Sequence, residues 1–180
     1  MTQLMKALIL IVGVALTVPA MARDLTGVEK TALGERVDAF ALAMQTKDVP
    51  NIIGVTPPRI WKSIAEQAGL DPAELRKTVI QQTNEVMKDV VFEKMSMDLD
   101  KAEFKTTPDG EPYALIPTSF VMSSPAIGKI ESTSHTLALM DEGKWYLLSV
   151  SDEGQLVILR KVYPGFAGVE LPKGTMKALQ

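Results

Sequence analysis

The spacing of the apolar residues changes near residue 90, and this change constrains the fold more than any other feature of the sequence. From Thr26 to about Val90, apolar residues recur at the intervals of an amphipathic helix. From about Val91 to Tyr163, apolar and polar residues alternate in short runs that are separated by turns, which is typical of strands. Because an antiparallel sheet must cover its apolar face, the helices are its natural cover, and the sequence predicts an α+β fold.

The helical half predicts three helices, each with a recognisable start. Thr26 and Glu29 have the spacing of a capping box, in which each side chain satisfies an amide of the other residue. Thr56 precedes two prolines and is expected to cap the second helix, and Asp71 precedes Pro72 and is expected to cap the third. The predicted helices run from Thr26 to Lys47, from Thr56 to Gly69 and from Asp71 to Val90.

The second half predicts five strands joined by polar turns rich in Asp, Gly and Pro. The predicted strands are Phe92 to Thr106, Tyr113 to Met122, Lys129 to Met140, Lys144 to Val150 and Gln155 to Tyr163. Short turns between successive strands predict an antiparallel meander. The predicted architecture is therefore three N-terminal helices packed on a five-stranded antiparallel meander sheet, in a single α+β domain over residues 23–163. Residues 164–180 are predicted to form an irregular tail.

Residues 1–22 have the pattern of a secretory signal peptide. Lys6 precedes an apolar run from Ala7 to Val18, and Ala20-Met21-Ala22 supplies the small residues of a cleavage site. The run is shorter than the roughly 20 residues that a membrane-spanning helix needs. We therefore expect cleavage near Ala22 and a mature protein in the periplasm, or secreted, with no stable membrane anchor.

Composition excludes several classes of site. The chain has no cysteine and one histidine, so thiolate metal sites, iron–sulfur clusters, cysteine nucleophiles and zinc sites that need several histidines are excluded. A net charge of −3 gives no electrostatic footprint for nucleic acid. The sequence has no glycine pattern of a nucleotide site, and we expect no cofactor. The acids Asp98 and Asp100 do not complete a calcium loop, because Ala102 and Glu103 occupy its fifth and sixth positions, so no metal site is predicted.

Two segments carry a family resemblance, namely Val37-Asp38-Ala39-Phe40-Ala41 and the hairpin from Asp141 to Val150. With helices preceding a long-stranded meander, the stretch from about Thr26 to Ser151 resembles the nuclear-transport-factor-2-like superfamily. The resemblance implies a bent sheet that wraps around helices to form a cone with an internal pocket. The superfamily includes isomerases, dehydratases, transport adaptors, immunity proteins and binding modules, so it does not assign one activity. The Asp and Tyr residues of its isomerases have no match here, so we transfer no catalytic residue.

Two groups of residues are candidates for a functional site. His135 is the only histidine, and a neutral imidazole on the same strand face as Glu131 could act as a general base. The alternative for His135 is a hydrogen-bonded histidine within the sheet. Aromatic residues with polar handles could line an apolar cavity, with core packing as the alternative. The candidate ligand-binding residues are Trp61, Tyr113, Phe120, Trp145 and Tyr146.

The absence of a catalytic motif favours a non-catalytic envelope protein. We expect it to bind a protein partner or a small apolar ligand, through a helix–sheet pocket or through the face of the sheet. One alternative is a cofactor-free isomerase or hydrolase that uses His135 and Glu131. Another is a periplasmic immunity or inhibitor protein, and a homodimer stays open.

Overall fold

The computed structural model of the chain describes residues 25–151 and 153–179. The predicted signal peptide lies outside these residues. The described part has an α+β fold with five α-helices and a six-stranded antiparallel sheet. The helices are α1 (Gly27–Thr46), α2 (Val49–Ile53), α3 (Pro58–Ala68), α4 (Pro72–Lys88) and α5 (Glu153–Val162). The strands are β1 (Val91–Met97), β2 (Glu103–Thr106), β3 (Pro112–Ser124), β4 (Gly128–Asp141), β5 (Lys144–Ser149) and β6 (Thr175–Leu179).

The start signals of two predicted helices are confirmed and one is wrong. Thr26 and Glu29 form both bonds of the capping box at α1, and the Asp71 carboxylate accepts from the amides of Ala73 and Glu74 at α4. Pro57 rather than Thr56 caps α3, without a side-chain hydrogen bond. The short helix α2, capped by Asp48, was not predicted. Among the described residues, no helix has the length and hydropathy to cross a membrane.

Two long strands, β3 and β4, form the centre of the sheet. They pair over almost their whole length, and each is flanked on its outer side by two shorter strands. β1 and β2 both pair with β3, while β5 and β6 both pair with β4. The sheet is therefore four strands wide, although six strands form it, and it is not the simple five-stranded meander that the sequence predicts.

The largest errors of sequence-based prediction lie in the last third of the chain. The predicted fifth strand, Gln155 to Tyr163, is wrong, because this segment forms the helix α5. The predicted irregular tail contains a short 3-10 turn at Pro164–Phe166 and the strand β6. The predicted strand Phe92 to Thr106 is interrupted, because residues 98–102 leave the sheet between β1 and β2.

The two faces of the sheet bury two separate cores. Alternate residues of a strand point to opposite faces, so even-numbered residues of β3 and β4 share one face and odd-numbered residues share the other. The α1 face packs against the first helix, and its core is Leu33, Val37, Val55, Ala114, Ile116, Ala138, Trp145 and Leu147. The α5 face packs against the last helix and the segment after it, and its core is Tyr113, Leu115, Leu137, Leu139, Val150, Leu156, Leu159, Phe166 and Val169.

Candidate functional site

A cavity of about 210 Å³ lies between the α1 face of the sheet and the helices α1 and α2. We call it the helix–sheet pocket. Hydroxyl residues of the two central strands, Thr118, Ser134 and Thr136, form its floor on the α1 face. Its apolar walls are formed by Phe40, Met44, Ile52, Val55, Met95, Phe120, Leu147 and Leu148. Its hydroxyl groups belong to Thr56, Thr118, Ser134, Thr136 and Ser149.

The most buried part of the floor is a pair of threonines on neighbouring strands. Thr118 and Thr136 expose only 8% and 9% of their surface. The Thr118 hydroxyl donates to the carbonyl oxygen of Ile116 at 2.9 Å, and the two hydroxyl oxygens of Thr118 and Thr136 are 2.8 Å apart. The pocket therefore combines apolar walls with a fixed polar group, which is the usual make-up of a small-molecule site.

The connection after α2 holds one wall of the pocket in place. The backbone amide of Leu147 in β5 donates to the Val55 carbonyl at 2.9 Å. The Arg36 guanidinium of α1 donates to the Gly54 carbonyl at 2.7 Å. These bonds link α1 and the end of α2 to the outer edge of β5, where Leu147 lines the pocket.

The structure does not bring the five predicted ligand-binding aromatic residues together. Phe120 lines the helix–sheet pocket, whereas Tyr113 is on the α5 face, packed edge-to-face on Phe166 with ring centroids 5.2 Å apart. Trp145 and Tyr146 line a groove beside α1, and the indole of Trp145 donates to the Glu29 carbonyl at 2.9 Å. Trp61 lies on α3, and its indole nitrogen is buried without a hydrogen-bond partner among the described residues.

His135 and Glu131 lie on the same strand face but not within hydrogen-bonding distance. His135 is opposite Pro117, and Glu131 is opposite Val121 and Lys177. Four residues along a strand span about 13 Å. His135 lines a polar groove with Ser96, Ser119, Thr133 and Lys173, and its Nδ1 atom is buried with no partner in the described part of the chain. A catalytic dyad needs contact at about 3 Å, so this geometry does not form one.

Two acidic residues between the end of β1 and the end of β2, Asp98 and Glu103, form local ion pairs. Lys101 donates to the Asp98 carboxylate at 2.8 Å, and this hydrogen bond holds the pKa of Asp98 below its usual value. Lys105 and Glu103 form a similar pair, with 2.6 Å between the ammonium nitrogen and a carboxylate oxygen. Within residues 25–151 and 153–179, no three acidic or histidine side chains gather closely enough to hold a metal ion.

A second polar group, which the sequence did not indicate, joins three elements at one end of the sheet. The Tyr163 hydroxyl donates to the buried Asp141 carboxylate at 2.9 Å. The Arg59 guanidinium lies 3.5 Å from the other carboxylate oxygen, donates to the Val162 carbonyl and stacks over the Tyr163 ring. We call these three residues the Asp141 cluster. It lines a cavity of about 300 Å³ and connects α3, the end of β4 and the end of α5.

We expect the Asp141 cluster to make the stability of the protein depend on pH in the alkaline range. Burial raises the pKa of the Tyr163 phenol above its usual value, and the hydrogen bond to the Asp141 carboxylate adds to the shift. The unfolded chain loses this proton near pH 10, while the folded protein retains it. We therefore expect the free energy of unfolding to be unaffected by this group below about pH 10 and to fall as the pH rises further.

The replacement Tyr163→Phe should remove part of this fall in the free energy of unfolding at alkaline pH. Urea unfolding between pH 8 and pH 11 measures the change. Burial also raises the pKa of Tyr113, so a smaller decline should persist in the variant. An unchanged pH dependence in Tyr163→Phe would show that the phenol is not protected as the structure indicates.

Comparison with known proteins found no match to any family model, curated protein or solved structure.

Proposed function

We propose that this protein binds a small, largely apolar ligand in the helix–sheet pocket and performs no chemistry on it. The observation that carries the proposal is the pocket itself, a cavity of about 210 Å³ with apolar walls and a buried hydroxyl pair. An apolar cavity of about 150 Å³ can take up benzene. The helix–sheet pocket therefore suits one six-membered ring with a short substituent, which is smaller than a typical drug-sized ligand.

The lining of the pocket also argues against catalysis there. The described residues that line it are apolar or carry a hydroxyl group, and none of them is charged. General acid–base catalysis needs a side chain that can exchange a proton near working pH. His135, the one histidine, lies on the opposite strand face and does not line this pocket. Binding is the function that such a site supports.

The proposal includes the cellular and family context indicated by the sequence. We propose that residues 1–22 direct export, so that the mature protein acts in the periplasm or outside the cell. We also propose membership of the nuclear-transport-factor-2-like superfamily, since a pocket between helices and a curved antiparallel sheet is what that resemblance implies. A protein partner, an immunity function and a homodimer stay predictions, and native mass spectrometry of the captured mature protein tests them.

Filling the pocket should abolish binding without unfolding the protein. Ser134 lies opposite Thr118 on the α1 face and lines the pocket. In Ser134→Leu the larger side chain occupies the cavity, so we expect benzyl alcohol to bind at least tenfold more weakly than to the native protein. The melting temperature should stay within a few degrees, because the added carbons fill space that already exists. Nuclear magnetic resonance titration with benzyl alcohol measures the affinity.

The matched control is Ser119→Leu, which makes the same change on the opposite face of the sheet. Ser119 lies on β3 opposite Thr133, beside the polar groove. This variant should bind benzyl alcohol as the native protein does. The proposal is wrong if the native protein shows no saturable binding of small aromatic probes, or if the two variants lose binding equally.

A further inference from the structure

The buried threonine pair of the helix–sheet pocket has a defined arrangement of hydrogens. A threonine hydroxyl has one hydrogen and two lone pairs. The Thr118 hydroxyl uses its hydrogen for the carbonyl oxygen of Ile116, which can only accept. The contact of 2.8 Å between the hydroxyl oxygens of Thr118 and Thr136 must then use the hydrogen of Thr136. Thr136 is therefore the donor in this pair, and Thr118 is the acceptor.

This arrangement leaves Thr136 as an acceptor only. Its single hydrogen is used, and its oxygen accepts no hydrogen bond from any of the residues 25–151 and 153–179. The side chain is more than nine-tenths buried and lines the cavity. A buried lone pair without a donor is costly compared with one that is paired. The floor of the pocket thus presents, at a fixed position, an acceptor oxygen to which no described residue donates.

We infer that the ligand of the pocket carries a neutral hydrogen-bond donor, an alcohol or phenol hydroxyl on an apolar body, which the Thr136 oxygen accepts. This inference rests on the proposed function and specifies its ligand class. A ketone or an ether of the same shape cannot use Thr136, because neither side would supply a hydrogen. An ammonium group would be buried without a counter-charge, since the described lining of the pocket includes no charged side chain.

Three probes of similar size separate these classes. Benzyl alcohol has a donor, benzaldehyde has an acceptor but no donor, and ethylbenzene replaces the hydroxyl of benzyl alcohol by a methyl group. Their dissociation constants are measured by calorimetric or nuclear magnetic resonance titration on the native protein, Thr136→Val and Thr136→Ser. Comparing each variant with the native protein for the same probe cancels the different hydrophobicity of the probes.

Thr136→Val should weaken benzyl alcohol binding roughly threefold to tenfold, the range expected for one hydrogen bond. The affinities for ethylbenzene and benzaldehyde should change less than twofold. Thr136→Ser should restore most of the affinity for benzyl alcohol. Thr133→Val makes the same substitution on the same strand but on the opposite face of the sheet, outside the pocket, and is the matched control, with less than a twofold effect on benzyl alcohol binding.

The variant Thr118→Val tests the direction of the hydrogen bond. Without the Thr118 oxygen, the hydrogen of Thr136 becomes free to point into the pocket. The affinity for benzaldehyde should then rise severalfold relative to the affinity for ethylbenzene, when each is compared with the native protein. A simple loss of packing would weaken all three probes together.

Two results would overturn the inference while leaving the proposed function intact. One is an equal loss of affinity for benzyl alcohol and for ethylbenzene in Thr136→Val. The other is a loss of affinity for benzaldehyde that matches the loss of affinity for benzyl alcohol. If the native protein binds none of the three probes, the proposed function fails and the inference fails with it.

Discussion

Replacing Leu159 by alanine is expected to lower the free energy of unfolding by about 3 kcal/mol. Leu159 is 1% exposed and lies in the core between α5 and the sheet. Removing its branched end leaves a cavity in a core cluster that also includes Leu115 and Leu137 of the central strands. Urea unfolding followed by circular dichroism measures the change.

Val157→Ala is the control that makes this experiment decisive for the fold. In a strand, residues 157 and 159 would point to the same face, whereas in a helix they lie about 200° apart. Val157 is 59% exposed on α5, so its replacement by alanine should change stability by less than about 0.5 kcal/mol. Comparable losses in both variants would mean that this segment is a strand, as the sequence alone suggested.

The prediction of a strand was wrong in this segment because its apolar residues are contiguous. The run Leu156-Val157-Ile158-Leu159 contains two β-branched residues, and a short apolar run does not separate helix from strand by its period. The buried positions are 156, 159 and 162, which have helical spacing. Glu153 in the first turn and Arg160 and Lys161 in the last turn match the helix dipole and were an available signal.

The strand β6 shows a different limit of sequence-based prediction. β4 spans Gly128–Asp141, but β5 pairs only with its second half. The first half of β4 would present unpaired amide and carbonyl groups at an edge, and β6 pairs with them. β6 is mostly exposed, and Pro172 and Gly174 just before it indicated an irregular tail instead of a strand. Its formation depends on the relative lengths of two other strands, which local patterns do not contain.

Part of the candidate site could have been predicted from alternation alone. Tyr113 and Phe120 are seven residues apart on one strand, and Trp145 and Tyr146 are adjacent on another. An odd separation places side chains on opposite faces, so these four aromatic residues could not line one pocket. By the same rule, Thr118 and Thr136 share a face with the apolar residues Ile116 and Ala138, which marks a polar group at the edge of a core. That the two threonines meet requires the register of β3 and β4, which only the folded structure provides.

Removing the carboxylate of Asp141 is expected to have the second large effect on stability. Asp141→Ala eliminates the acceptor of the Tyr163 hydroxyl and the ion pair with Arg59. Hydrogen bonds to a charged group contribute about 1.5–3 kcal/mol. The Arg59 side chain is half-exposed and can be rehydrated, so we expect a loss of about 2–3 kcal/mol rather than the larger loss that follows when a fully buried charge is left unpaired.

Asp141→Asn separates the shape of this side chain from its charge. The amide oxygen can still accept from Tyr163, but the attraction to Arg59 is lost, so this variant should lose roughly 1 kcal/mol. A double-mutant cycle with Asp141→Ala and Tyr163→Phe should give a coupling energy of about 1 kcal/mol, since each residue is the partner of the other. Additive effects in the cycle would mean that α5 is held on the sheet by its apolar contacts alone. A measurable coupling would instead show that the Asp141 cluster holds the last helix against α3 and β4.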